Sequence, residues 1–194
     1  MQKIEIKAFK RQDLGKKSTK KLRKEQNVPG VLYGGKENVH FYASENELKK
    51  IIYTPNVHLI ELNVEGKKYD AIIKDLQFHP VGDNLLHIDF LQIFDDKPIV
   101  IEIPVQLEGL AEGVKEGGKM NLEQRKLKVK GLSKNIPDNL TIDISGLGLG
   151  KTIQVSDLNF PNLELLNSKK SVVVTVKLTR AARAATQTQA PAQK

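Results

Sequence analysis

A short, strongly basic stretch is the first place in this sequence where side chains could bind a charged partner. LGKKSTKKLRK, residues 14–24, holds six cationic side chains and only two apolar ones, Leu14 and Leu22. Lysine and arginine bind phosphates by charge, and arginine also hydrogen-bonds base edges. Like charges three or four residues apart repel one another on an isolated helix. The stretch therefore predicts a polyanionic partner, nucleic acid before an anionic membrane, with a merely solvated face as the alternative.

Three residues outside this stretch could add selectivity. In the segment HIDF, His87 and Asp89 share one face of a strand, while Ile88 and Phe90 point the other way. A carboxylate beside phosphates is unfavourable unless it accepts a hydrogen bond from a base, and Tyr33 could stack on a base or bond to ribose. In RNA, such contacts occur in the wide minor groove or at distorted, non-helical pairs.

His79, His87 and Asp89 could also be considered as metal ligands. A structural zinc site needs four ligands, usually from short spacings, and this sequence offers no convincing further ligand. A polar strand face, or a hydrogen bond between His87 and Asp89, is the better interpretation. We expect no metal and no cofactor.

The segment SGLGLGKT, residues 145–152, partly resembles a phosphate-binding P-loop. Such a loop needs a glycine five residues before Gly150, but Ser145 stands there. The following TIQVSDL predicts a strand and a turn, whereas a P-loop must open a helix. A β-turn carrying Lys151 is favoured over a nucleotide site, and no catalytic triad or carboxylate pair supports an enzyme.

The distribution of charge along the sequence also favours a polyanionic partner. The net charge is +8, and residues 1–36 contain eleven Lys and Arg against three Asp and Glu, whereas residues 37–194 contain twenty of each sign. Cysteine is absent, which excludes disulfides, thiol catalysis and cysteine-bound zinc, and fits a reducing cytosol. We find no apolar run long enough to span a bilayer and nothing like a signal peptide, so we expect a cytoplasmic protein without membrane contact.

The elements that must position these residues are mainly β. Alternation and turn residues predict about six strands before residue 94, together with a helix over TKKLRKEQ capped by Ser18 or Thr19, and a second helix opened by a Ser44–Glu47 capping box. We therefore expect an N-terminal antiparallel six-stranded β-barrel with two or three short helices.

The composition changes after the linker-like segment DDKP at residues 95–98. PIVIEIPVQLEG, RKLKVKGL, LTIDISG, TIQV and SVVVTVKL read as strands, which predicts a C-terminal all-β domain. The domains are thus expected at 1–94 and 95–179. Residues 180–194, RAARAATQTQAPAQK, are of low complexity and predict a disordered tail.

Together, LGKKSTKKLRKEQNVPGVLYGGKE and HIDF resemble the family of the bacterial large-subunit ribosomal protein numbered twenty-five. EGLAEGVKEGGKMN and NIPDNLTIDISGLGLG resemble the longer, two-domain form of that family, the Ctc general stress protein type. The resemblance extends over residues 3–178 and implies a non-enzymatic structural component of the large ribosomal subunit. Its N-terminal barrel would bind an irregular helical region of 5S rRNA, and its second domain could contact neighbouring ribosomal proteins or RNA.

The resemblance also implies which residues face the RNA. In this numbering they are Arg11, Lys16, Ser18, Lys20, Arg23, Tyr33, His87 and Asp89, to which Lys21 is added from the basic stretch and Lys74 as a weaker candidate. The family often has Arg where this chain has Lys20 and Lys21. Lysine keeps the charge without the planar fork, so these two positions are expected to contact phosphates rather than bases.

Two other function classes remain open at this stage. One is a general nucleic-acid-binding stress protein that is not stably part of the ribosome. The other is an enzyme that uses the glycine-rich loop at residues 146–150.

Overall fold

The computed structural model describes residues 3–54 and 57–179. By their contacts, the described residues up to Ile101 together with Leu132–Asp138 form one unit. Residues Glu102–Gly131 and the described residues from Asn139 onwards form a second. The expected domains at 1–94 and 95–179 stay a prediction, and the expected disordered tail lies outside the described residues.

The first unit is built on six strands and two helices that follow the alternating apolar pattern of the sequence. The elements are β1 (Lys3–Lys10), α1 (Lys16–Lys24), β2 (Asn27–Tyr33), β3 (Val39–Ser44), α2 (Glu45–Ile52), β4 (Leu59–Val64), β5 (Lys67–Phe78) and β6 (Leu85–Gln92). The strands close into a barrel in the order β1-β3-β2-β6-β5-β4. The predicted mainly β fold with a six-stranded barrel is confirmed.

Two of the barrel's strand pairings differ from the all-antiparallel arrangement expected. Strand β1 runs parallel to β4, and β2 runs parallel to β6. Short turns force β2/β3, β4/β5 and β5/β6 to be antiparallel, but the two parallel pairs join strands that are distant in the chain. Long connections leave room for the chain to return in the same direction, so local turn chemistry did not fix these pairings.

The barrel core is filled by the inward-facing residues of each strand. Phe41 and Phe90 are fully buried and stack with ring centroids 5.5 Å apart. Gly30 lies against this pair: a Cβ at its position would come within 2.5 Å of Phe41 and 2.8 Å of Ile88. A glycine is therefore required there for the two rings and the neighbouring strand to pack so closely.

Both helices form where the sequence predicts helices, but neither is capped as expected. Helix α1 begins at Lys16 with Gly15 as its N-cap, three residues before the predicted start. The hydroxyl of Thr19 instead donates to the carbonyl of Gly15 at 3.0 Å, a back-bond within the helix that takes this hydroxyl away from capping. Ser44 is the N-cap of α2, yet its side chain makes no capping hydrogen bond.

The second unit contains two small sheets, which confirms the predicted all-β region. Its elements are β7 (Ile99–Glu108), α3 (Glu112–Lys115), β8 (Lys119–Leu122), β9 (Lys126–Gly131), β10 (Leu140–Asp143), β11 (Thr152–Gln154), β12 (Glu164–Leu165) and β13 (Val172–Lys177), where β7 begins in the first unit. One sheet has the order β10-β7-β9-β12 and the other β11-β13-β8. Strands β8 and β12 and the one-turn helix α3 were not predicted, because segments this short carry little periodicity.

Within residues 3–54 and 57–179, the helices are all too short or too polar to cross a lipid bilayer.

Candidate nucleic-acid interface

Helix α1 carries the main concentration of positive charge on the barrel. Its lysines are exposed to solvent, and none of them forms an ion pair with a residue in the described part of the chain; they are Lys16, Lys17, Lys20, Lys21 and Lys24. The first turn of the helix contains no acidic residue, and the last turn contains three basic ones. The helix therefore presents its charge outward without internal neutralisation.

Two arginines attach this helix to the barrel. Arg23 donates from Nε and Nη2 to the backbone carbonyl of Leu86, at 3.0 and 2.8 Å. At the other end, Arg11 at the end of β1 donates from Nη2 to the hydroxyl of Thr19 at 3.0 Å and to the carbonyl of Asp13 at 3.1 Å. These bonds fix the lysines relative to the sheet and place the helix beside the start of β6.

The electrostatic environment of Arg11 differs from that of the lysines. Partial burial, together with the positive charge of Arg23, lowers the pKa of Arg11. Its Nε is buried and has no hydrogen-bond partner among the described residues. A guanidinium remains charged in a protein, so Arg11 adds a partly desolvated cation beside α1.

His87 and Asp89 lie on the outer face of β6, as the alternation predicts. His87 Nδ1 is 2.7 Å from Asp89 Oδ1, and each side chain is little more than a quarter exposed. The two atoms are close enough for an ion pair when His87 is protonated. Asp89 Oδ1 is buried and accepts no hydrogen bond from the described residues. The interpretation of this pair as a polar strand face fits the geometry, and the second carboxylate oxygen supplies an acceptor for an external donor.

Tyr33 faces the same side of the sheet. Its strand β2 lies next to β6, with Val31 opposite Asp89 and Tyr33 opposite Leu91. Partial burial and then the negative charges of Asp89 and Asp75 raise the pKa of Tyr33. The phenol therefore stays protonated at neutral pH and can donate a hydrogen bond.

A β-bulge in β5 brings two further polar residues to this face. The register of β5 against β6 shifts between Ile73 and Asp75, which leaves Lys74 as the unpaired extra residue. After the shift, Asp75 lies opposite Asp89 and Gln77 lies opposite His87. The exposure of Asp75 and Gln77 does not follow from the periodicity of the sequence, because strict alternation assigns both to the core side. Only the charge and polarity of the two side chains indicate it.

The structure thus places nearly all the residues predicted to face RNA on or beside α1 and on the adjoining strands β2 and β6. Arg11, Lys16, Ser18, Lys20, Lys21 and Arg23 lie on or against α1, and Tyr33, His87 and Asp89 lie on the adjoining strands. Lys74 is exposed on the bulge of β5, directly before Asp75, which lies opposite Asp89. Their contact with RNA stays a prediction.

The two alternative sites considered in the sequence have ordinary structural roles. His79 Nδ1 accepts hydrogen bonds from the backbone N–H groups of Gly82 at 3.1 Å and Val81 at 3.3 Å, which shapes the β5/β6 turn. The glycine-rich loop at residues 146–150 leads into strand β11 and not into a helix. In the part of the chain that the structure describes, no three His, Asp or Glu side chains come together in a way that could hold a metal ion.

Comparison with protein families gives matches to both parts of the chain. Residues 6–90 match the model of the ribosomal L25p family, and residues 98–180 match the model of the C-terminal domain of ribosomal protein TL5. Similar proteins are 56% identical over 184 residues in Azobacteroides pseudotrichonymphae and 52% identical over 195 residues in Phocaeicola vulgatus. These alignments cover 94% and 97% of this chain and 97% and 98% of the two relatives.

The chain belongs to the ribosomal L25p family. Both relatives carry the name large ribosomal subunit protein bL25, as does a protein from Porphyromonas gingivalis that is 54% identical over 187 residues, or 95% of this chain and 97% of the relative. The L25p family is one of ribosomal structural proteins and not of enzymes, so the predictions of the family, of its longer two-domain form and of a non-enzymatic role are confirmed.

Proposed function

We propose that the protein is a structural component of the large ribosomal subunit that binds 5S rRNA through residues 1–94, in the cytoplasm as part of the ribosome. Its membership of the L25p family and the printed names of its relatives support the ribosomal assignment. The choice of 5S rRNA rests on the resemblance carried by LGKKSTKKLRKEQNVPGVLYGGKE and HIDF.

One observation carries the RNA-binding part of the proposal. Helix α1 carries the exposed, unpaired lysines, and Arg23 attaches this helix to the carbonyl of Leu86. Leu86 is the residue directly before His87. Charge that binds any phosphate backbone therefore lies beside a polar strand face with hydrogen-bond donors and acceptors. The lysines supply affinity, and the strand face supplies selectivity.

The roles of individual residues follow from their positions. Lys16, Lys20 and Lys21 contact phosphates, because they are exposed and flexible point charges. Asp89 accepts from a base, Tyr33 donates to ribose or a base, and His87 holds the carboxylate of Asp89 in place. Arg11 and Arg23 contact RNA only with the donors that their bonds to Thr19 and Leu86 leave free.

The second domain, residues 95–179, has a different part in this proposal. It holds twelve Lys and Arg and eleven Asp and Glu, which is close to neutral. A near-neutral β domain gains little from a phosphate backbone, and contact with neighbouring ribosomal proteins suits it better.

The test is a competition experiment with the full-length chain. 5S rRNA and duplex DNA of equal length compete for the protein at one fixed salt concentration, because non-specific affinity depends steeply on salt. We expect 5S rRNA to bind at least about a hundredfold more tightly, since readout of bases adds to the shared charge term. Equal affinities would contradict the proposal and leave only charge-driven binding.

A second measurement tests whether the N-terminal part of the chain is sufficient for RNA binding. A fragment ending at Phe94 should bind 5S rRNA nearly as well as the whole chain, because the charge surplus and all the proposed contacts lie within it. If residues 95–194 alone bound the RNA better, the assignment of the interface to the barrel would be wrong.

A further inference from the structure

An exposed pair of aromatic rings lies on the outer face of the barrel. Phe9 on β1 stacks on Tyr42 on β3, with ring centroids 5.4 Å apart and an angle of 25° between the planes. The two residues are opposite each other in the strand register. More than half of the surface of Phe9, 54%, remains accessible to solvent.

The exposure of Phe9 is unusual when compared with the other stacked aromatic pair in the described residues. Phe41 and Phe90 have a similar separation, 5.5 Å, but both are fully buried in the core. A cross-strand aromatic pair stabilises a sheet wherever it lies. Burial of one face of Phe9 against Tyr42 accounts for that contribution, yet it leaves a large rigid ring surface in water.

The strand register places this pair on the same face as the proposed RNA-binding residues. Tyr42 is opposite Pro29, and Pro29 directly precedes Gly30, which is opposite Ile88 of β6. Phe9, Tyr42, Pro29 and His87 therefore follow one row across four adjacent strands, a span of about 14 Å at the usual strand spacing.

The same pair is also close to the attachment of α1. Phe9 is two residues before Arg11 on the same side of the chain, and Arg11 donates to Thr19 of the helix. Lys7 and Lys10, which flank Phe9, are exposed, and neither forms an ion pair with any residue described. An apolar ring surface bordered by unpaired cations is complementary to a nucleobase with its phosphates, because every base has an apolar face and is linked to negative charge.

We propose that Phe9 and Tyr42 form a platform on which an unpaired base of the bound RNA stacks. This inference rests on the proposed RNA-binding function and deepens it, since it requires the target to present a base that is free of its helix. Phe9 offers its exposed face to the base, and Tyr42 holds the ring of Phe9 in position. Stacking of this kind tolerates any base, so the platform selects for an unpaired base rather than for a sequence.

The experiment compares full-length variants that differ at the ring. Phe9→Leu keeps an apolar side chain but removes the aromatic face, and Phe9→Tyr keeps the face. Tyr53→Leu is the matched control, because Tyr53 is an aromatic residue that is 66% exposed but follows α2 and lies on none of these four strands. Affinity for 5S rRNA is measured for each, together with the fluorescence of 5S rRNA carrying 2-aminopurine at one unpaired position at a time.

We expect Phe9→Leu to weaken binding about five- to thirtyfold, whereas Phe9→Tyr and Tyr53→Leu bind as the wild type does. One labelled position should lose fluorescence on binding the wild type and lose much less on binding Phe9→Leu. Thermal unfolding shows whether each variant is folded; if Phe9→Leu is not, Phe9→Ile takes its place.

The outcomes separate the platform from the function it rests on. Wild-type binding with an unchanged affinity of Phe9→Leu, or with no quenched position, would overturn the platform and leave the proposed function intact. A wild-type protein that does not bind 5S rRNA would remove the proposed function and the platform together.

Discussion

Two faces of the same barrel carry lysines in contrasting settings. On β1, β4 and β5, Lys3 lies 2.8 Å from both Glu61 and Asp70, and Lys68 also pairs with Glu61. On α1 the lysines have no such partners among the described residues. Within the described residues, Lys3 and Lys68 are neutralised by carboxylates of the protein, whereas the lysines of α1 are not. The number of positive charges is therefore a poorer guide to a binding surface than the lack of internal partners.

The outer face that carries Lys3, Glu61, Lys68 and Asp70, here called the paired face, also has shifted pKa values. Hydrogen bonds from Lys3 and Lys68 lower the pKa of Glu61 to about 2. The pKa of Lys3 is raised by its bonds to Asp70 and then Glu61, and the pKa of Lys68 by its bond to Glu61. These shifts express charge that is already neutralised within the protein. A phosphate approaching this face would have to displace a carboxylate, whereas on α1 it displaces only water and mobile ions.

The largest expected effect comes from removing the unpaired charge. The triple variant Lys16→Gln, Lys20→Gln, Lys21→Gln should lose about a hundredfold in affinity for 5S rRNA at 0.15 M salt and reduce the slope of log affinity against log salt by about two. The matched control is Lys3→Gln, Lys49→Gln, Lys68→Gln, which removes the same charge from paired lysines. A control that lost as much affinity as the triple variant would refute the comparison.

A smaller effect is expected at Asp89, where two mechanisms predict opposite signs. Asp89→Ala removes a negative charge, so electrostatics alone predicts equal or tighter binding. If Asp89 accepts a hydrogen bond from a base, the variant should lose about 1–3 kcal/mol of binding free energy on 5S rRNA and nothing on other RNAs. Asp70→Ala, which removes a carboxylate from the paired face, serves as the control. Tighter binding of Asp89→Ala would exclude Asp89 from the interface.

The attachment of α1 is expected to have a more modest influence. Arg23→Lys keeps the charge but cannot reproduce two donors to the carbonyl of Leu86. We expect a loss of about 1 kcal/mol in local stability, seen as roughly fivefold faster hydrogen exchange of the α1 amides. Lys24→Ala, on the same helix without a partner in the described chain, should leave the exchange rates nearly unchanged. Equal exchange in the two variants would show that the arginine does not hold the helix.

The smallest effect concerns pH on the paired face. Because the pKa of Glu61 is lowered on folding, its pairing stabilises the protein above the ordinary pKa of a glutamate and is lost as the pH falls towards about 2. Carbon chemical shifts of the Glu61 carboxyl should titrate with a midpoint near that value. Lys3→Gln should move the midpoint upwards, and a midpoint that does not move would mean that the pair has little influence in solution.

The sequence was sufficient for the features that depend on local pattern. Alternation in QKIEIKAF and LLHIDFLQIF predicted strands, and the placement of His87 and Asp89 on one face followed from the same period. The sequence was insufficient for features that depend on contacts between segments distant in the chain. The parallel pairing of β1 with β4 and of β2 with β6 depends on how the barrel closes, and the bulge that exposes Asp75 depends on the fit of β5 to β6.

The helix boundaries show a second limit, which is the competition between nearby hydrogen bonds. Thr19 has the chemistry of an N-cap, but its hydroxyl is occupied by the carbonyl of Gly15 and by Arg11. Arg11 is eight residues away, directly after strand β1. A pattern read along the chain could not show that this arginine would compete for the same oxygen.

Because of the bulge at Lys74, strand β5 has one residue more than its pairing with β6 requires. Ile73 and Leu76 both pack against the core although they are three residues apart, because the unpaired Lys74 shifts the alternation between them. Deleting Lys74 would leave Ile73 and Leu76 two positions apart, so ordinary alternation would keep both of them inward and Asp75 and Gln77 outward. Both substitution and deletion of Lys74 should therefore preserve the two faces of β5, so among related chains the bulge is expected to be present or absent without an exchange of core and outer residues.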